Sequence, residues 1–135
     1  MGNRAVITTS KSKDVKNSKD IGVYLHYNGG RDSVKAFLKY CELKGYRSPS
    51  EDNYGWARLC QVIGNFFGGS TSIGIDNCCH LDCDNFDNGV YIIKSGRLLV
   101  DNIIAEQSKT LTTFIQCFYL LTRLNRYMSN LAKNR

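Results

Sequence analysis

The sequence predicts one α+β domain: an antiparallel or mixed sheet of four to five strands with two inserted helices and a long C-terminal helix. Three observations carry that expectation. Short strand-like runs bounded by turn residues fall at 4–9, 21–27, 71–75, 89–93 and 97–100. Two segments with apolar residues at helical spacing, 32–43 and 54–67, follow one another between the second and third of those runs. A further apolar-rich segment starts near Glu106 and continues to the C-terminal region. The resulting order, β-β-α-α-β-β-β-α, lacks the regular alternation of a doubly wound nucleotide-binding fold. A chain of 135 residues is one domain by length and can build a hydrophobic core without disulfide or metal support.

Taken in order, Arg4 to Thr9 alternates as a first strand, and the polar run Ser10 to Asp20 reads as a flexible loop or hairpin tip. Ile21 to Tyr27 is a second strand in which Gly22, Tyr24 and His26 share one side. The chain then turns at Asn28-Gly29-Gly30-Arg31 and enters a helix through Asp32 or Ser33, with Val34, Phe37, Leu38 and Cys41 as its apolar stripe and Gly45 as its stop. Pro49 fixes the next loop, and Asp52 or Asn53 is positioned to cap the second helix. In that helix Trp56, Leu59, Cys60, Val62, Ile63, Phe66 and Phe67 cover more than half the circumference, which predicts burial on nearly every side. Strands at 71–75 and 89–93 flank a polar loop, and Lys94-Ser95-Gly96 makes a tight turn into the last strand. The apolar surface of the final helix exceeds one contact face, which predicts a self-association interface involving Phe114, Phe118 and Leu121.

The net charge of +6 is concentrated at the two ends. Arg4, Lys11, Lys13, Lys16 and Lys19 lie near the start, and Lys109, Arg123, Arg126, Lys133 and Arg135 near the end. Such a field favours an anionic partner: a nucleotide, a nucleic acid or an acidic protein. No apolar run approaches a membrane span and no leader pattern opens the chain, so a cytoplasmic protein is expected, with its six cysteines as thiols.

The chemistry-bearing motifs point to binding rather than catalysis. Gly29-Gly30-Arg31 after a strand and before a helix has the parts of an anion site: close backbone approach, unpaired helix N–H groups and a guanidinium. It lacks the Gly-Lys-Ser/Thr of a P-loop and the third glycine of a dinucleotide fingerprint. The expected ligand-binding set is Tyr24, His26, Tyr27, Asn28, Gly29, Gly30 and Arg31, joined by Arg58, Arg123 and Arg126. In that set the tyrosines stack on a ring and the arginines hold phosphate. Asp76-Asn77-Cys78-Cys79-His80-Leu81-Asp82-Cys83-Asp84 holds metal-type donors at unsuitable spacing for zinc or calcium, so no metal and no cofactor are expected. No nucleophile elbow, paired glutamates or hydrolase spacing occurs, so no catalytic residues are assigned and the chain is read as a non-enzyme.

The words Val-Tyr-Leu-His-Tyr-Asn-Gly-Gly-Arg-Asp, Tyr-Gly-Trp-Ala-Arg-Leu-Cys-Gln-Val-Ile-Gly-Asn-Phe-Phe-Gly-Gly and Asp-Asn-Gly-Val-Tyr-Ile-Ile span about half the chain. On those words it resembles small phage and mobile-element proteins of Gram-positive bacteria. The resemblance implies a context, anti-defence proteins that are often oligomeric, and no specific activity. The expected function is a non-enzymatic phage protein, acting in the cytoplasm of the host bacterium, that binds and sequesters a nucleotide-like immune signalling molecule at a homo-oligomer junction. The alternatives are a protein-binding inhibitor of a host defence nuclease or effector, and a basic nucleic-acid-binding accessory protein.

Overall fold

The computed structural model describes residues 2–49, 53–68 and 72–98 and the single positions 123, 130 and 133. Its elements are β1 (Ala5–Thr8), β2 (Ile21–Leu25), α1 (Arg31–Leu43), α2 (Asn53–Phe67), β3 (Ile73–Asn77), β4 (Val90–Lys94) and β5 (Arg97–Leu98). The strand order is β3-β2-β1-β4-β5. β1 is central, and all four of its residues are buried because both its edges and both its faces are covered. It pairs antiparallel with β2, Ile7 opposite Val23, and parallel with β4, Ile7 opposite Tyr91. β2 pairs antiparallel with β3, and the two-residue β5 pairs only with the end of β4.

Two-residue periodicity sorts the strand side chains onto two different faces. Ile7, Val23, Leu25 and Ile93 point to the helices, where they join Val34, Phe37, Leu38, Cys41, Leu59, Val62 and Ile63 in the main core. Burying one such aliphatic or aromatic side chain is worth about 1.5–3 kcal/mol, so this layer carries the bulk of the stability. α1 ends in a Schellman motif: the Gly45 N–H donates to the Glu42 carbonyl, the Tyr46 N–H donates to the Cys41 carbonyl, and Gly45 takes a φ of 70°. α2 lies against α1 and is less enclosed than its sequence predicts. Only Gly55, Leu59, Val62 and Ile63 are buried in it, while Trp56, Cys60, Phe66 and Phe67 are partly exposed.

Among the described residues the opposite face carries no α-helix. Val6, Tyr24 and Val90 are covered by Cys78, Leu81, Cys83 and Val15 from the connecting loops. Buried polar groups fasten those loops. Asn85 is fully buried; its amide nitrogen donates to the carbonyls of Asp82 and Gly89, and its Oδ1 accepts from the N–H groups of Asp87 and Gly89. The segment after β1 carries a single 3-10 turn, Val15–Asn17, and is tied down by the hydroxyls of Ser10 and Ser18, both donating to Asp20 Oδ2 at 2.6 and 2.7 Å. Those bonds hold the Asp20 carboxyl below its ordinary range.

The architecture corrects the sequence expectation. The described fold is a four-strand mixed sheet, β3-β2-β1-β4, extended at one edge by the two-residue β5 and carrying two helices. Its parallel β1·β4 pair joins residues far apart in sequence, so the alternation pattern alone does not specify it. No long C-terminal helix is among its elements; apart from positions 123, 130 and 133, the segment from Glu106, with Phe114, Phe118, Leu121 and Arg126, lies outside the described residues. The helices close the apolar face of the sheet and the loops close the other. Among the described residues no helix is long and apolar enough to cross a membrane.

Candidate functional site

A cleft of about 430 Å³ opens between the C-terminal end of α1, the loop that follows it and the β4–β5 turn. Three local features shape it. The Schellman stop of α1 fixes the direction in which the chain leaves the helix and delivers Tyr46 and Arg47 to one wall. Gly55, on the first turns of α2, lets the Ser48–Pro49 backbone lie against the helix, because a Cβ there would collide with Ser48. The tight turn at Ser95-Gly96, with φ values of 51° and 73°, forms the facing wall. Leu38, Cys41 and Pro49 supply the apolar floor, and Glu42, Ser48 and Ser95 the neutral and acidic polar groups. The volume falls within the range of small-molecule sites.

Two of the lining residues, Tyr46 and Arg47, each take part in a cation–ring contact. The Arg58 guanidinium lies over the Tyr46 ring at 5.3 Å from its centroid, while its NH1 donates to Gln61 Oε1 at 2.8 Å. Neither of these two partners carries a negative charge. Arg47 lies over the Tyr54 ring at 5.4 Å. Both guanidinium groups lie within cation–π distance of a ring. Among the described lining residues the one thiol is Cys41, and burial pushes it up to about 12, so its thiolate is negligible at neutral pH.

The sequence-nominated residues divide differently. Gly29 is at a packing contact, since a Cβ there would stand 2.5 Å from the Asn3 carbonyl oxygen, and its own N–H already donates to that oxygen at 2.7 Å. Gly30 is the N-cap of α1 and Arg31, not Asp32 or Ser33, is the first helical residue. Asn28 takes the left-handed conformation, φ 54°, that completes the corner. Tyr24 and His26 are joined by a 3.2 Å contact from the phenol oxygen to Nδ1, and Tyr27 packs edge-on to His26 with ring centroids 4.6 Å apart. Tyr24 packs with the loop-side cluster, whereas Arg31 opens the helix on the other face. These residues are therefore not gathered on one wall.

Arg58 belongs to the cleft region, at the far end of α1 from Arg31; thirteen helical residues span about 20 Å. Arg123 lies over the Phe66 ring at 5.3 Å, near the end of α2. Tyr46, Arg47, Ser48, Ser95 and Gly96 were not singled out by their sequence pattern. The one local signal for them is Gly45, whose helix-stop role dictates where Tyr46 emerges.

The cysteine- and aspartate-rich loop is structural in its contacts. Cys78 Sγ lies 3.4 Å from Thr8 Oγ1, Cys83 Sγ lies 3.5 Å from the Cys78 carbonyl, and His80 pairs with Asp76 at 3.2 Å. Among the described residues no group of three or more His, Cys, Asp or Glu side chains can hold a metal ion. No protein-family model, curated protein or solved structure matches the chain.

Proposed function

We propose that the protein is a non-catalytic binding protein that holds a nucleotide-like anion in the Tyr46 cleft. The observation that carries this reading is the Arg58 guanidinium placed over the ring of Tyr46, a lining residue of a cleft of ligand size. An aromatic face accepts a nucleobase, with stacking worth about 1–3 kcal/mol per base. Arg58 and Arg47 attract phosphate, the serine hydroxyls donate to its oxygens, and Glu42 accepts from an exocyclic amine or a ribose hydroxyl. Retention without turnover fits a cleft in which the one thiol among the described lining residues, Cys41, is held protonated.

In this proposal the chain removes such a ligand from solution. A phage-encoded role against host immune signalling, in the cytoplasm of the host bacterium, extends it on the strength of the resemblance stated above. Calorimetric titration with AMP, ATP and cyclic dinucleotides tests the site. Tyr46→Ala and Arg58→Ala each weaken binding by about tenfold or more, and Arg31→Ala leaves it unchanged. Loss of binding in Arg31→Ala with full binding in Arg58→Ala would move the ligand to the β2–α1 turn.

A further inference from the structure

β3 is an edge strand, and its ladder with β2 fixes which of its backbone groups look outward. The His26 N–H donates to the Ser72 carbonyl and the Cys78 N–H to the Asp20 carbonyl. Ser72, Gly74, Asp76 and Cys78 therefore turn their peptide groups to β2, while Ile73, Ile75 and Asn77 turn theirs away. The outward N–H of Asn77 is taken by the Asp76 carboxylate at 2.7 Å, whereas those of Ile73 and Ile75 have no hydrogen-bond partner among the described residues. The open part of the edge is Ile73 to Ile75. Guarded edges carry lysine, proline or a bulge, but this stretch has none of them. Ile75 is 54% exposed and Ile21, its diagonal neighbour on β2, 40%. Both stand on the helix-facing side, where Ile73 packs against the main core. Gly74 adds a second observation. Its φ is not left-handed, the ladder runs through it without a bulge, and a Cβ there would meet only Tyr24 Cβ, at 4.0 Å. Neither conformation nor packing among the described residues calls for glycine at the middle of this strand, and close approach of another backbone is the reason that is left.

We propose that β3 pairs antiparallel with β3 of a second copy, with Gly74 of each chain at the two-fold axis, so that the two sheets become one. In this register Ile73 of each copy faces Ile75 of the other as a hydrogen-bonded pair, and the bonds are made by the peptide groups that are open. The Asn77 N–H, already taken, is not needed. The two Gly74 residues meet as a non-hydrogen-bonded pair, the closer kind, with Cα atoms about 4.5 Å apart. Ile73 and Ile75 of both copies join on the helix-facing side and carry the apolar layer across the junction. Asp76 falls opposite Ser72, so the carboxylates of the two copies do not face each other. Centring the pair on Ile75 instead would set Ile73 against Asn77, whose N–H is occupied, and Gly74 against Asp76. Bonds, side chains and glycine are thus self-complementary about one axis, which favours a second copy over an unrelated extended peptide. The Tyr46 cleft borders the β4–β5 turn at the other edge of the sheet, so pairing leaves it open, and the inference does not rest on the nucleotide reading.

Sedimentation equilibrium and amide hydrogen exchange test it. The wild-type chain dimerises as its concentration rises, and the amides of Ile73 and Ile75 exchange more slowly in the dimer than in the dilute monomer, while that of Asn77 is unchanged. Ile75→Pro removes an outward N–H and leaves the ladder to β2 intact; losing one interchain bond on each side of the axis weakens dimerisation by about tenfold or more, with an unchanged circular dichroism spectrum. Ile75→Lys puts a charge into the isoleucine cluster and weakens it likewise without altering the backbone, which keeps the test open if proline disturbs the strand. A wild-type chain that stays monomeric at millimolar concentration, a folded Ile75→Lys chain that dimerises like wild type, or a dimer whose Ile73 and Ile75 amides gain no protection would each overturn the proposal. Titration of the Ile75→Lys monomer with AMP reports on the ligand reading separately, since its cleft is intact.

Discussion

The two faces of the sheet are closed by different physics. On the helical face Ile7, Val23, Leu25 and Ile93 meet Phe37, Leu59 and Ile63, and hydrophobic burial does the work with no polar specification. On the loop face a small apolar cluster around Val6 is held shut by side-chain to backbone hydrogen bonds from Asn85 and by the Ser10, Ser18 and Asp20 set. The first arrangement tolerates exchange of similar volumes. The second depends on individual donors and acceptors, each costly to leave unmade once buried. The difference explains how loops that form neither strand nor α-helix among the described residues close one face of the sheet.

The largest effect should come from the helical face. Phe37→Ala removes a fully buried ring that also contacts Phe66, and costs about 3–5 kcal/mol in urea unfolding; a loss below about 1 kcal/mol would mean that this layer is not the main core. Asn85→Ala should cost less, about 1–3 kcal/mol, and its signature is local. The Asp87 amide, which loses its Asn85 acceptor, exchanges faster, while those of α1 stay protected.

Acid comes next, and it acts on the loop face. Hydrogen bonds hold Asp20 low, those of the Ser10 and Ser18 hydroxyls, and Asp87 low, those of Arg4; the Asn77 N–H and His80 hold Asp76 low. Each folded-state value lies below the ordinary 3.8. Their contribution is therefore complete above that value and is lost as pH falls from it through the lower folded value. Asp20→Asn should flatten the acid limb of a stability-against-pH curve; an unchanged limb would remove Asp20 from this role. The smallest effect is Phe86→Gly, which should leave stability unchanged or raise it by up to about 1 kcal/mol, because an exposed ring is lost and backbone strain relieved.

The same contrast sets what could be read from the sequence. The α1 stripe of Val34, Phe37, Leu38 and Cys41 is periodic, so it was legible, and Gly45 marked its end. Asn85 sits in a run of Asp, Asn and Cys that reads as solvated turn, and nothing local announces a fully buried side chain. The parallel β1·β4 pair, and with it the four-strand mixed sheet, depends on contacts between residues roughly 80 positions apart, which propensity does not encode. The site followed the same rule. Arg58 was legible as a helix-borne cation, but the cleft beside it exists only because Ser95-Gly96 comes to face Tyr46-Arg47-Ser48. The Gly29-Gly30 turn, by contrast, showed a ligand-like pattern whose close approach is taken up by Asn3.

The most direct test of the account is a nuclear magnetic resonance titration of the uniformly 15N-labelled chain with AMP and with a cyclic dinucleotide. The cleft reading predicts saturable shifts at the amides of Glu42, Tyr46, Arg47, Ser48, Ser95 and Gly96, with Asn28 to Arg31 undisturbed. Shifts centred on Asn28 to Arg31, or no saturable shift with either nucleotide at millimolar concentration, would contradict it.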